Sequence, residues 1–177
     1  MAKEDKTKNF VDAVITKIGK DNNTAFGAVL RRADNPDTEY QSWEYLALWC
    51  NIERNKERKA YALIGAAIAR AKLSADGTLG IGQAIAHCYA DEGGFNGNKK
   101  DAAKVKLYRL LVCKHTEEAC TILRPLLRLI TSRNIPLHYA ELLQDLLYSD
   151  EWFNRKIKLK WAKDFYSKKF SSQKEEK

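Results

Sequence analysis

Apolar residues recur at three- and four-residue intervals along most of the chain, the spacing of helices that bury one face. Phe10, Val11, Val14, Ile15 and Ile18 form the first stripe, which Gly19 ends. The polar run Asp21-Asn22-Asn23-Thr24 leads into a short helix over 25–33, closed by Asp34-Asn35-Pro36. Tyr40, Trp43, Leu46, Ala47 and Cys50 share the next predicted apolar face. Ala60, Leu63, Ile64, Ala67, Ile68 and Ala71 mark another, whose small residues suit close packing. Ser74-Ala75-Asp76-Gly77 breaks it, and a short helix follows over 81–89.

The segment Gly93-Gly94-Phe95-Asn96-Gly97-Asn98-Lys99-Lys100 concentrates glycine and reads as a linker. Beyond it, Asp101 is placed to cap a helix whose apolar side carries Val105, Tyr108, Leu111 and Val112. Thr116 is placed to cap the next, with Ile122, Leu123, Leu126, Leu127 and Ile130 inward. Pro125 falls inside that helix and predicts a kink or a restart, since proline there costs roughly 3 kcal/mol. Pro136 suits a first turn, followed by Tyr139, Leu142, Leu143, Leu146 and Leu147. Ser149 is expected to cap the last helix, where Phe153, Ile157, Trp161 and Phe165 recur every four residues. No strand-like alternation of useful length interrupts this pattern. The predicted fold is all-α, with two small helical-bundle lobes, 1–92 and 101–177, joined by the glycine-rich linker 93–100.

Charge changes the picture at the same boundary. The net charge is +8, and residues 99–177 hold 18 Lys and Arg against 10 Asp and Glu, so the whole excess lies there. One-sided basic charge suits a polyanion such as nucleic acid. It equally suits a lysine-rich surface on a soluble helical protein, or an adaptor for an acidic partner. No apolar run approaches ~20 residues, which excludes a membrane-spanning helix. The start, Met1-Ala2-Lys3-Glu4-Asp5-Lys6, has no apolar stretch behind its charges, so a cytoplasmic location is expected.

The residue types of catalysis are present without its spacings. Cys50, Cys88, Cys113 and Cys120 include no CxxC pair, and His87 and His115 near two of them lack metal-site spacing. Reduced, buried cysteines are expected, with no metal and no cofactor. Gly80-Ile81-Gly82 is followed by Ile85 where a dinucleotide fingerprint needs its third glycine. Glu117 and Glu118 stand about 100° apart on a helix and read as first-turn acids that complement its dipole. No nucleophile–base pair is apparent, so a binding role is expected rather than an enzyme.

Two sets of basic residues carry the candidate site. Arg124 and Arg128 are four apart and stand on one helix face, either as phosphate clamps or as arginines that are solvated or paired with Glu141 or Asp145. On the last helix, Lys156, Lys160 and Lys163 lie opposite the apolar stripe and are expected to act outward. The aromatics Trp152, Trp161, Phe165 and Tyr166 between them could stack on bases, but a stripe of this kind is expected in the core.

Several ordered segments resemble one family. They are 106–111 (Lys-Leu-Tyr-Arg-Leu-Leu), 123–130 (Leu-Arg-Pro-Leu-Leu-Arg-Leu-Ile), 135–146 (Ile-Pro-Leu-His-Tyr-Ala-Glu-Leu-Leu-Gln-Asp-Leu) and 161–166 (Trp-Ala-Lys-Asp-Phe-Tyr). Leu30-Arg31-Arg32 and the segment Gly80 to Ala86 add a weaker likeness. The set resembles the CasB proteins, the small subunits of the type I-E CRISPR surveillance complex Cascade. The resemblance implies a non-catalytic helical subunit of two lobes, present as a head-to-tail pair beside the guide-RNA backbone subunits and the large subunit. It also implies a basic surface that holds the target and displaced DNA strands of the R-loop, with Arg31, Arg32, Arg109, Arg124 and Arg128 as the matching positions. Pro125 departs from the pattern, standing where relatives usually carry a second basic residue.

Overall fold

A computed structural model of the chain describes residues 3–20, 24–90, 97–148 and 155–167. Its helices are α1 (Lys3–Lys20), α2 (Thr24–Arg31), α3 (Trp43–Leu46), α4 (Asn55–Ala71), α5 (Ile81–Tyr89), α6 (Gly97–Leu111), α7 (Thr116–Ser132), α8 (Tyr139–Leu147) and α9 (Arg155–Tyr166). A 3-10 turn, Glu39–Ser42, runs into α3. Among the described residues there is no strand, only an isolated parallel bridge between Leu79 and Leu137. The all-α reading stands.

α4 is the central element. Ten consecutive residues, Ala60 to Ala69, are buried, so the helix is covered on all sides rather than on one stripe. Its alanines and Gly65 make this possible: a Cβ at Gly65 would already touch the Phe10 ring at 3.4 Å. α7, α8, α1 and α2 pack around it, while α5 packs against α9 and α6. Buried side chains from both sides of residues 93–100 belong to one cluster, including Phe10, Ile64, Ile85, Leu107, Leu123 and Trp161. Residues 93–96 of the expected linker lie outside the described residues, and Gly97 to Lys100 are the first turn of α6.

The structure corrects several local expectations. Of the face predicted for Tyr40, Trp43, Leu46, Ala47 and Cys50, Leu46 and Cys50 are buried and the other three are exposed. α3 is only four residues long and follows a 3-10 turn, so the 3.6-residue period does not carry through. Tyr45 and Trp49 turn inward instead, and their rings reach Phe10 at 6.3 and 5.5 Å. α6 buries Ala103, Leu107 and Leu110 and leaves Val105, Tyr108 and Val112 in solvent. Arg109 stands within that second stripe, and burying it would strand a guanidinium away from water. Asp101 lies inside α6 rather than at its cap.

α7 runs unbroken through Pro125, neither stopping nor restarting. Thr116 is its first residue rather than its cap, and its buried hydroxyl donates to the Leu146 carbonyl at 3.1 Å. Pro136 precedes α8 rather than entering its first turn. The carbonyl of Pro136 accepts from the Thr78 and Leu79 amides, both at 3.0 Å. α8 is capped from a distance by Asp76, which accepts from the Tyr139 amide at 2.8 Å and the Ala140 amide at 3.1 Å. Gly77 permits this approach, since a Cβ there would collide with the Pro136 backbone. The expected cap at Ser149 lies outside the described residues.

Gly80 and Gly82 serve the crossing of α5 with α9. A Cβ on Gly82 would collide with the Trp161 carbonyl oxygen and stand 2.7 Å from the Phe165 amide nitrogen. The start of α5 is therefore covered by α9, and the glycines make room for a helix rather than for a phosphate.

Candidate nucleic-acid interface

Three segments far apart in the chain meet at Asp34: the end of α2, the end of α4 and the middle of α7. The Asp34 carboxylate is 2% exposed and receives the Arg70 guanidinium as a two-pronged pair, Nη1 to Oδ2 at 2.9 Å and Nη2 to Oδ1 at 2.6 Å. The same Nη2 donates to the Arg31 carbonyl at 2.6 Å, and Arg31 Nη1 reaches the Ala69 carbonyl at 3.4 Å. Arg124 brings its Nε to 3.8 Å from Asp34 Oδ2, too long for a hydrogen bond, and that buried nitrogen has no other partner among the described residues. One carboxylate thus has two guanidinium groups within 4 Å, those of Arg70 and Arg124, and the pairings leave an excess of positive charge. Arg32 beside it and Arg128 one turn along α7 are both exposed.

Arg31 and Arg124, predicted from separate halves of the chain, are therefore brought together. Arg70 is the residue that sequence reasoning missed. It lies 36 positions from Asp34, and no spacing rule links such a pair. The charge-assisted fork locks the end of α2 against the end of α4.

A second group lies on α6 and α9. Arg109 is exposed between Val105 and Val112, while Lys156 and Lys163 are exposed on α9. The α9 stripe of Ile157, Trp161 and Phe165 is buried as expected, leaving Tyr166 outside. Trp152 and Phe153 lie outside the described residues.

Lys160 does not act from the outer face. Its ammonium donates to both Asp145 oxygens at 2.9 Å and pairs with Glu141 at 2.8 Å. Burial works against the charge, but these two carboxylates outweigh it and hold the amine above its ordinary value. Asp145 also accepts from the Trp161 indole at 2.7 Å, so Lys160 completes a junction between α8 and α9. Glu141 and Asp145, the acids expected to compete for Arg124 and Arg128, are thereby taken.

The remaining chemistry is structural. Glu118 reaches back to accept the Lys114 amide at 2.8 Å, and that bond lowers its carboxyl pKa, as a first-turn acid should behave. All four cysteines are free and buried. Among the described residues, no group of three or more His, Cys, Asp or Glu could hold a metal ion. No helix among them is long and apolar enough to cross a membrane.

A family model, CRISPR-associated protein Cse2, matches residues 27–166. The match begins just before Arg31 and ends at Tyr166, so it takes in both basic groups. No curated protein and no solved structure matches the chain.

Proposed function

The chain belongs to the Cse2 family of CRISPR-associated proteins, and from that premise we propose that it is a non-catalytic Cascade small subunit that binds nucleic-acid backbone. The observation that carries the reading is the family match, which spans the arginines at Asp34 and the basic face of α6 and α9 alike. Five of the eight candidate cations stand exposed: Arg32, Arg109, Arg128, Lys156 and Lys163. Arg31 and Arg124 are half-buried beside them, and Lys160 is left out because its partners are internal.

In this role the protein works in the cytoplasm beside the backbone and large subunits, next to a second copy of itself. Its cations contact phosphates of the target and displaced strands without reading sequence. Strand exchange in an R-loop is nearly balanced, so added contacts to the backbone shift it toward the open state. Contacts of this kind depend on charge and release counterions, which makes binding strongly salt-dependent.

The test is binding of single-stranded DNA of arbitrary sequence, at low and high salt, together with co-purification with a guide-RNA complex. Salt-sensitive binding indifferent to sequence is the expected result. A helical adaptor for an acidic protein would ignore bare DNA, and that outcome would sink the proposal.

A further inference from the structure

The net charge of the protein and an exposed apolar strip coincide on two helices. α6 and α9 each carry five basic residues and one acidic residue, so together they hold +8, the net charge of the whole chain. The helices pack together in opposite directions. Lys158, near the start of α9, donates its ammonium to the Cys113 carbonyl just past the end of α6 at 2.6 Å, while the hydroxyl of Tyr166, at the end of α9, meets that of Tyr108 in the last turn of α6 at 3.3 Å.

Each helix turns one stripe to solvent. On α6 it is Val105, Tyr108 and Arg109, continued by Val112 just past its end; on α9 it is Lys156, Leu159, Lys163 and Tyr166. The apolar members are substantially exposed, from 49% at Val105 and Tyr166 to 73% at Val112. Single exposed apolar residues need no explanation, but five on adjoining stripes do. Tyr166 is also fixed in place. Its ring meets the buried Phe165 edge to face at 4.9 Å, and the hydroxyl contact with Tyr108 holds its far end. About half of each tyrosine residue's surface is thus open to solvent, with the hydroxyl contact holding the two side chains in a set orientation, which lowers the entropy lost on binding.

The arrangement favours one class of occupant. Protein interfaces gather apolar residues at the centre and charge at the rim. Here the cations lie within the stripes, alternating with flat apolar surface, as phosphates alternate with bases along an unpaired strand. Lipid insertion needs a broad apolar face, and that face of α9 is already buried in the core. A second copy pairing through the same face would bring a strongly like-charged surface against this one.

We propose that the α6–α9 face binds an unpaired nucleic-acid strand, with bases stacking on Tyr108 and Tyr166 while Arg109, Lys156 and Lys163 hold phosphates. This rests on the reading of the chain as a strand-binding subunit and adds to it a contact with the bases themselves. The stripe from Lys156 to Tyr166 is about 15 Å long, enough for a few nucleotides.

The test compares full-length protein binding to oligothymidylate and to an abasic strand of equal length, by fluorescence anisotropy. The abasic strand, which loses both stacking contacts, should bind roughly 25- to 100-fold more weakly. Tyr108→Ala and Tyr166→Ala should each weaken oligothymidylate binding by about five- to tenfold and leave the abasic strand unaffected. Tyr166→Phe should stay within about twofold of the parent, because the ring and its contact with Phe165 are kept and only the hydroxyl contact with Tyr108 is lost. Thermal melts check the fold, and Tyr166→Ala, at a helix end, serves if Tyr108→Ala does not fold. Equal, salt-sensitive affinity for both strands would overturn the platform and leave the backbone-binding function standing. Failure to bind either strand would overturn both. If the alanine variants bind oligothymidylate normally but drop out of a guide-RNA complex, the face docks a protein and the proposal is wrong.

Discussion

Arg128→Ala tests the backbone contact where the fold interferes least. Arg128 is exposed on α7, and no acid among the described residues is paired with it: Asp34 is held by Arg70, while Glu141 and Asp145 are held by Lys160. Five exposed candidate cations that each meet one phosphate of a single strand give a slope of log K against log salt of about −3.5, at about −0.7 per phosphate. Raising salt from about 50 to 200 mM should then weaken binding roughly a hundredfold. Losing Arg128 should change the slope to about −2.8 and the loss to roughly fiftyfold, with no change in base preference. Stability should move by no more than about 0.5 kcal/mol, helped by relief of the like-charge spacing with Arg124. Lys160→Met supplies the internal contrast. It leaves Asp145 and Glu141 without their cation and should lower stability by about 1–2 kcal/mol, discounted for partial exposure, without altering the slope. Anisotropy titrations across salt and thermal melts on the same preparations measure both quantities. An unchanged slope for Arg128→Ala, or a flattened one for Lys160→Met, would refute the assignment.

Gly82→Ala should force α5 from α9 and cost about 3 kcal/mol, whereas Gly80→Ala meets two side-chain carboxyls, Asp164 at 2.8 Å and Glu141 at 3.5 Å, and should cost less than about 1 kcal/mol by chemical denaturation. Burial pushes the Cys50 and Cys88 thiols up to about 11 and Cys120 up to about 12. Above pH 9.0 the unfolded chain therefore releases protons that the fold retains, so stability falls as pH rises from there toward 11. The raised Lys160 amine adds to the same trend above 10.5, and a thermal midpoint that holds level from about pH 8 to about pH 10.5 would contradict it. Limited proteolysis should cut first in the glycine-rich segment 93–97, and the two pieces should co-elute because α5 packs on α9 and α4 on α7. Pieces that separate without denaturant would count against the shared core.

The sequence by itself determined the helices and much of what they bury. Apolar spacing located α1, α2, α4, α5, α7, α8 and α9, because each has at least one strongly apolar side, though α1 and α4 begin several residues before their stripes. It also located the basic excess, since charge is additive along a chain and needs no folding to be counted. Orientation was another matter on α6, where the spacing pointed to Val105, Tyr108, Leu111 and Val112 but a second stripe, Ala103, Leu107 and Leu110, is the one buried. The choice fell to Ala103, small enough for close approach to neighbouring helices, and to Arg109, which has to stay in water. Pairings were settled only in three dimensions. Lys160 looked like an outward cation until Asp145 and Glu141 came to it from α8, and Asp34 found Arg70 across 36 positions. Asp76 caps a helix that begins 63 residues later. A carboxylate has the same sequence signature whether it faces water, caps a remote helix or meets a guanidinium. Which of these it does depends on the groups that packing brings within about 3 Å, where a hydrogen bond can form.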